Sequence, residues 1–140
     1  MSLYLLDTDI LTLAEHGHSR VSQQFTLHPP PDVIGVSIVN IEEQWNGWYA
    51  QLRQAKTHQQ AARTYGRMTN MLNYVRRFEL LPFLEPSMQR FDSLKRLKLG
   101  VGGMDLRIAA IALEQGAIVV TRNKTDFQRI PGLTFEDWSV

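Results

Sequence analysis

The sequence predicts an α/β fold: a central, mostly parallel sheet covered on both faces by helices, with a long helical hairpin protruding from it. Three observations carry this reading. Short apolar runs of strand length alternate along the chain with longer segments whose apolar residues recur at helical spacing. Leu3–Leu6 and Ala117–Val120 are continuous apolar runs, as expected for strands buried on both faces and joined by right-handed helical crossovers. Two of the helical segments follow each other with only a short gap, which predicts an antiparallel helix pair.

Each element has its own signal. Leu3–Leu6 is a buried strand that ends in Asp7-Thr8-Asp9 and enters a helix carrying Ile10, Leu11, Leu13 and Ala14, with the Asp or Thr as cap. Pro29-Pro30-Pro31 breaks the chain before a second strand, Val33–Ser37. Ile41, Trp45, Trp48, Leu52 and Ala55 then mark one arm of the hairpin, and Ala61, Tyr65, Met68, Leu72 and Val75 the other. Phe78–Phe83 forms a third strand, and Pro86 suits the start of a helix whose apolar face is Met88, Phe91, Leu94 and Leu97. Gly100, Gly102 and Gly103 end that helix. Asp105 opens the next, which is apolar around much of its circumference and stops at Gly116. Ala117–Val120 is a fourth strand running into Thr121-Arg122-Asn123 and a turn with Asp126 and Phe127, and Thr134–Trp138 adds an edge strand.

Composition narrows the chemistry. A chain of 140 residues that is 44% hydrophobic can bury a real core, so residues 1–140 are expected to form one domain. With no cysteine there is neither a disulfide framework nor a thiolate metal site, and any metal must be held by oxygen or imidazole. The N-terminal apolar run is too short for a signal peptide, and no segment approaches the length of a membrane span, so a cytoplasmic location is expected. A net charge of +1 conceals a strong asymmetry: Gln44 to Arg77 contains no acid, yet holds Arg53, Lys56, Arg63, Arg67, Arg76 and Arg77.

The acids fall where an open parallel sheet collects ligands, beyond the carboxyl ends of its strands. Asp7 and Asp9 follow the first strand, Glu42 and Glu43 lie soon after the second, Asp105 is at a helix start, and Asn123 and Asp126 follow the fourth strand. Two carboxylates about 5 Å apart repel by roughly 3 kcal/mol at an effective dielectric near 20, so such a cluster calls for a cation or a proton. Oxygen ligands from separate segments suit Mg²⁺ or Mn²⁺, which keep several waters and engage phosphate. Plainer readings stand beside this one. Asp7 and Asp105 can cap helices, Asn123 can serve a turn, one of Glu42 and Glu43 is a solvated surface acid, and the basic hairpin face can be solvent-exposed helix.

Taken in order, the motifs resemble those of PIN-domain ribonucleases, and among them the VapC-type toxins, over essentially the whole chain. Leu5-Leu6-Asp7-Thr8-Asp9-Ile10-Leu11 is similar to the family's opening motif, whose first acid is a metal ligand, which gives Asp7 that role with Thr8 and Asp9 in support. Val36 to Gly47 resembles the strand-to-helix motif in which the acid precedes a glycine by four residues, and so selects Glu43. Asp105 to Leu113 is similar to the third acidic motif, and Val119 to Phe127 to the C-terminal block containing Thr121, Asn123 and Asp126. The chain departs from many PIN domains in having Asn123 where they carry an acid, which leaves open whether Asn123 or Asp126 completes a metal shell.

The resemblance implies a three-layer α/β/α domain and a homodimer. It also implies Mg²⁺ or Mn²⁺ on Asp7, Glu43 and Asp105, a cellular RNA substrate such as transfer RNA, and neutralisation by a small VapB-like antitoxin. Arg53, Arg63 and Arg67 of the hairpin are the candidate RNA contacts, because a basic surface can hold a polyanion that the carboxylates alone repel. Two alternatives have different chemistry. Asp7-Thr8-Asp9 after an apolar strand also resembles the nucleophile motif of haloacid-dehalogenase-like phosphatases, although Glu136-Asp137 lies too near the C-terminus to supply their downstream acidic pair. A non-catalytic module binding RNA or a protein partner is the other.

Overall fold

The computed structural model describes residues 1–140. The strands β1 (Leu3–Leu6), β2 (Val33–Ser37), β3 (Glu79–Leu81), β4 (Ile118–Val120) and β5 (Phe135–Glu136) form one sheet in the order β3-β2-β1-β4-β5. Every pairing is parallel, with Leu3 opposite Val33, Tyr4 opposite Ile118, Gly35 opposite Glu79 and Val119 opposite Phe135. The helices are α1 (Thr8–Glu15), α2 (Ser19–Leu27), α3 (Ile38–Gln54), α4 (His58–Val75), α5 (Glu85–Arg96), α6 (Gly103–Gln115) and α7 (Lys124–Phe127).

Because successive strand residues point to opposite faces, β1 alone feeds two cores. Tyr4 and Leu6 join Val36, Val120, Ile10, Leu11, Val21 and Trp138 on the face covered by α1 and α2. Leu5 joins Val119, Phe91, Ile108, Ile111 and Phe127 on the other, covered by α5 and α6. This is the three-layer α/β/α arrangement. Trp48, Met68 and Met71 form a third, separate cluster between α3 and α4, so the hairpin carries its own small core. No helix is long and apolar enough to cross a membrane.

Several expectations are refined. Helix α2 carries no strong sequence signal, because Val21 is its only buried residue. The third strand is shorter than Phe78–Phe83, and the fifth is only Phe135–Glu136. On α4 the buried residues are Thr64, Met68 and Met71, while Tyr65 and Leu72 of the expected stripe are exposed. Helix α5 ends before the glycines, with Leu97 as its C-cap and Lys98 in the left-handed region, and Gly103 instead begins α6. Asp105 therefore lies inside the first turn of α6 rather than opening it, and Gly102 is the cap residue. Gly116 does end α6, at φ 68°, a conformation that costs glycine least.

Gly35 occupies the tightest strand contact, since a Cβ there would lie 3.0 Å from the Glu79 carbonyl oxygen and 3.4 Å from Leu81 Cγ. Gly35→Ala is expected to push β3 away from β2 and to destabilise the chain by about 1–3 kcal/mol. A urea unfolding midpoint equal to that of the parent would show that the edge strand yields freely.

Candidate active site

The order β3-β2-β1-β4-β5 reverses direction between β1 and β4, so the topological switch point lies beyond their carboxyl ends, where open α/β sheets bind ligands. Asp7 sits there. Its N–H continues the sheet by donating to Val120 O (2.9 Å), and its Oδ1 caps α1 by accepting from Ile10 N (3.0 Å). Its Oδ2 accepts from Thr121 Oγ1 (2.5 Å). Both the capping and the ligand-site readings thus fall on one side chain, which is only 6% exposed.

Glu43 reaches the same edge from the second turn of α3. It accepts a short hydrogen bond from Thr8 Oγ1, whereas its neighbour Glu42 is exposed. Thr8 is fixed in turn by Asn40 Nδ2 (3.1 Å). Asn40 is fully buried and accepts at Oδ1 from Ser37 N (2.8 Å) and Ser37 Oγ (2.7 Å), while Ser37 Oγ accepts from Asn40 N (3.1 Å). The sequence reading missed Ser37 and Asn40. Their signal was present, because Ser-x-x-Asn is a capping box with Asn in the place usually held by Glu or Gln.

The remaining groups arrive from α6 and the β4–α7 turn. Asn123 Nδ2 donates to Asp105 Oδ2 (3.3 Å) and Asp126 Oδ2 (3.0 Å), and Asn123 N donates to Thr121 Oγ1 (2.9 Å). Asp9 is exposed at the rim. Among Asp7, Asp9, Glu43, Asp105 and Asp126, only Asp126 has a cationic partner, Arg129, at 3.7 Å. Burial pushes the Asp7 carboxyl up to about 6, against the lowering effect of its Thr121 and Ile10 hydrogen bonds and with smaller contributions from the charges of Asp9 and Asp105. Asp105 is also raised, by burial first and then by the charges of Glu43, Asp126 and Asp9.

The donor set fits a hard divalent cation in its chemistry, being made of oxygens, rich in negative charge and poor in counter-ions. In the present conformation, however, no three acidic or imidazole side chains approach closely enough to hold one ion together. The carboxylates are instead parted among local hydrogen bonds to Thr8, Thr121 and Asn123.

The basic candidates lie apart from the acids. Arg63 and Arg67 line a crevice on the hairpin with Gln51, Gln54 and Gln60, whereas Arg53 lies in the last turn of α3 and does not line it.

No family model matches the chain. It is 25% identical over 138 residues to ribonuclease VapC1 of Haemophilus influenzae, covering 98% of each chain. It is also 47% identical over 45 residues to the tRNA(fMet)-specific endonuclease VapC of Salmonella typhimurium, covering 32% of this chain and 34% of that one. Among solved structures it superposes on VapBC2 from Rickettsia felis bound to a promoter DNA fragment, with TM-score 0.77, 25% identity and 97% and 98% coverage of the two chains. VapBC-1 from nontypeable Haemophilus influenzae shares the fold, with TM-score 0.75, 24% identity and 99% coverage of both. The parallel five-stranded sheet between helices and these superpositions give the chain a PIN-like α/β/α fold. Within that class the chain is VapC-like, similar from end to end to a VapC ribonuclease.

Asp7 generates a prediction about stability. Its folded pKa lies above the ordinary carboxylate value, so between about pH 4 and pH 6 the folded chain binds more protons than the unfolded one. In EDTA, stability is therefore lost as pH rises through that window, by up to roughly 3 kcal/mol from this group. Asp7→Asn preserves the cap and removes the charge, so the variant is expected to be the more stable at neutral pH and to respond less to added Mg²⁺. Parallel pH–stability curves for parent and variant would contradict this.

Proposed function

We propose that this chain is a metal-dependent endoribonuclease, the toxin of a pair whose antitoxin is a small VapB-like protein. The observation that carries the reading is that Asp7, Glu43 and Asp105 lie near enough along one edge for their charges to bear on one another, with no ion-pair partner for any of them. The full-length likeness to a VapC ribonuclease supports the activity, and the VapBC complexes among the structural neighbours support the antitoxin.

Asp7, Glu43 and Asp105 would hold Mg²⁺ or Mn²⁺, which when bound supplies Lewis-acid activation of the scissile phosphate and of the attacking water. The chain's own contribution is orientation. Thr121 and the start of α1 fix Asp7, Thr8 and Asn40 fix Glu43, and Asn123 lies between Asp105 and Asp126 as a neutral donor that lowers their mutual repulsion. Arg63 and Arg67 give the RNA backbone an attractive surface away from the acids. Transfer RNA is the first substrate to test, because one relative is a tRNA(fMet)-specific endonuclease. The same reading includes action in the cytoplasm and a homodimer, and Ile38, Leu72 and Leu80 leave an exposed apolar surface around a groove beside β3 for a protein contact. The phosphatase alternative gains no support from relatives that are ribonucleases.

Purified protein is expected to cut total RNA with Mg²⁺ or Mn²⁺ and to stop in EDTA, and Asp7→Asn should lower the rate by roughly a hundredfold or more while folding normally. RNA binding with no cleavage under any divalent ion would favour the non-catalytic module. Arg63→Ala with Arg67→Ala is expected to weaken binding and to reduce the log–log salt slope by about 0.7 for each single-strand phosphate that is no longer neutralised. An unchanged slope would confine the hairpin to protein contacts.

A further inference from the structure

A polar crevice outside the acid edge shares only Arg67 with the groups used above. It opens between the C-terminal end of α1 and the second half of α4, encloses about 400 Å³, and Tyr74 is its one hydrophobic lining residue. Arg67 and Arg77 bring positive charge, and Asn70 and Asn73 bring exposed amides. Arg77 lies over the Tyr74 ring, its Cζ 4.2 Å from the ring centroid, and its Nε donates to Tyr74 O (3.1 Å).

Glu15 is the unexplained member. Its Oε1 is buried without a hydrogen-bond partner, and its Oε2 lies 4.0 Å from His16 Nε2, beyond hydrogen-bond reach. An orphan acceptor of this kind costs about 1–3 kcal/mol, a cost that an N–H donor offsets once the partly exposed carboxylate turns to bring this shielded oxygen into the crevice. The crevice is also continuous with the hairpin surface. Gln60, Arg63, Arg67, Asn70 and Tyr74 are spaced three or four residues apart on α4, Arg77 follows in the turn after it, and Arg67 lines both this crevice and the neighbouring one. Asp7 begins α1 and Glu15 ends it, which places the crevice about 12 Å from the acid edge along the helix.

We propose that this crevice is a nucleotide subsite for single-stranded RNA, with a phosphate on Arg67 and Arg77 and a guanine base presenting its N–H edge to Glu15. The inference rests on the ribonuclease reading above. A bare anion fits poorly, because Glu15 repels it. The occupant must combine an anionic group with a donor edge, and guanine carries two adjacent N–H donors that match one carboxylate. The Arg77 guanidinium over Tyr74 offers a cationic planar group to the base. A lining this polar and basic resembles a nucleic-acid interface more than the apolar centre of a protein interface.

The test is fluorescence anisotropy in EDTA, where binding is read without cleavage, using short labelled single-stranded RNAs that carry a central guanosine, inosine or adenosine in an otherwise uridine strand. The parent is expected to prefer guanosine over inosine by roughly tenfold, since inosine lacks one of the two donors. Glu15→Gln should abolish that preference. Arg77→Ala should weaken binding of every strand and lower the salt slope by about 0.7, whereas Arg96→Ala on α5, which removes the same charge elsewhere, should change the slope less. Circular dichroism checks folding of each variant. Equal binding of guanosine and inosine by the parent, or a preference retained by Glu15→Gln, overturns the subsite while leaving the ribonuclease reading intact. Loss of antitoxin binding without loss of RNA binding in Arg77→Ala assigns the crevice to the protein partner and overturns it too. Failure of the parent to bind any of these RNAs, or total RNA, removes the ribonuclease reading and this inference together.

Discussion

Asp7 carries three demands that pull against one another. Its backbone extends β1 onto β4, its carboxylate caps α1, and its charge is buried where Asp9 and Asp105 also bear on it. The first two demands fix the side chain, because moving it would uncap a helix and disturb the central strand pair. The third means that the fixed position is unfavourable for an isolated anion. A fold that holds a carboxylate in place while withholding a counter-ion leaves its charge to be met by a proton or, on the function proposed above, by a cation from outside, and the rest of the edge is arranged around that tension.

The supporting groups are neutral. Thr8, Asn40, Ser37, Thr121 and Asn123 orient the acids by hydrogen bonds, and none contributes positive charge. A lysine or arginine in any of these places would relieve the repulsion and compete with a metal for the same oxygens. Neutral donors orient without neutralising, because a hydrogen bond to a buried carboxylate is directional but leaves its net charge intact. Asn123 extends this logic. In place of a further acid, it donates toward Asp105 and Asp126 and lowers the density of negative charge on the side of the edge next to α6.

What could be read from the sequence follows the strength of each physical signal. β1, β2 and β4 are continuous apolar runs in the sheet interior, and α3, α4 and α6 bury enough side chains to leave a periodic imprint. Helix α2 buries only Val21, and the edge strands β3 and β5 have three and two residues, so their imprint is faint. Tyr65 and Leu72 misled because periodicity reports apolar positions, and the hairpin is narrow enough that Thr64 and Met71 occupy its inner face instead. At the edge, the position of Asp7 was legible from its place after a strand and that of Asp105 from its place near a helix start. Ser37 and Asn40 were not, since a polar pair at the start of a helix looks the same whether it only caps the helix or also anchors a site through Thr8.

The net charge of +1 hides a division of labour. The acids needed for metal chemistry would repel a polyanion, whereas a uniformly basic surface would leave no metal site. The fold separates the two requirements by placing the carboxylates at the sheet's switch point and the acid-free block on a hairpin with its own hydrophobic core. Val75 packs against both this core and the one beneath α1, so the hairpin is joined to the sheet at its base while its basic residues lie farther along it. On the function proposed above, substrate contact would fall to the middle of α3 and α4, and the metal site to the start of α3, the first turn of α6 and the ends of β1 and β4.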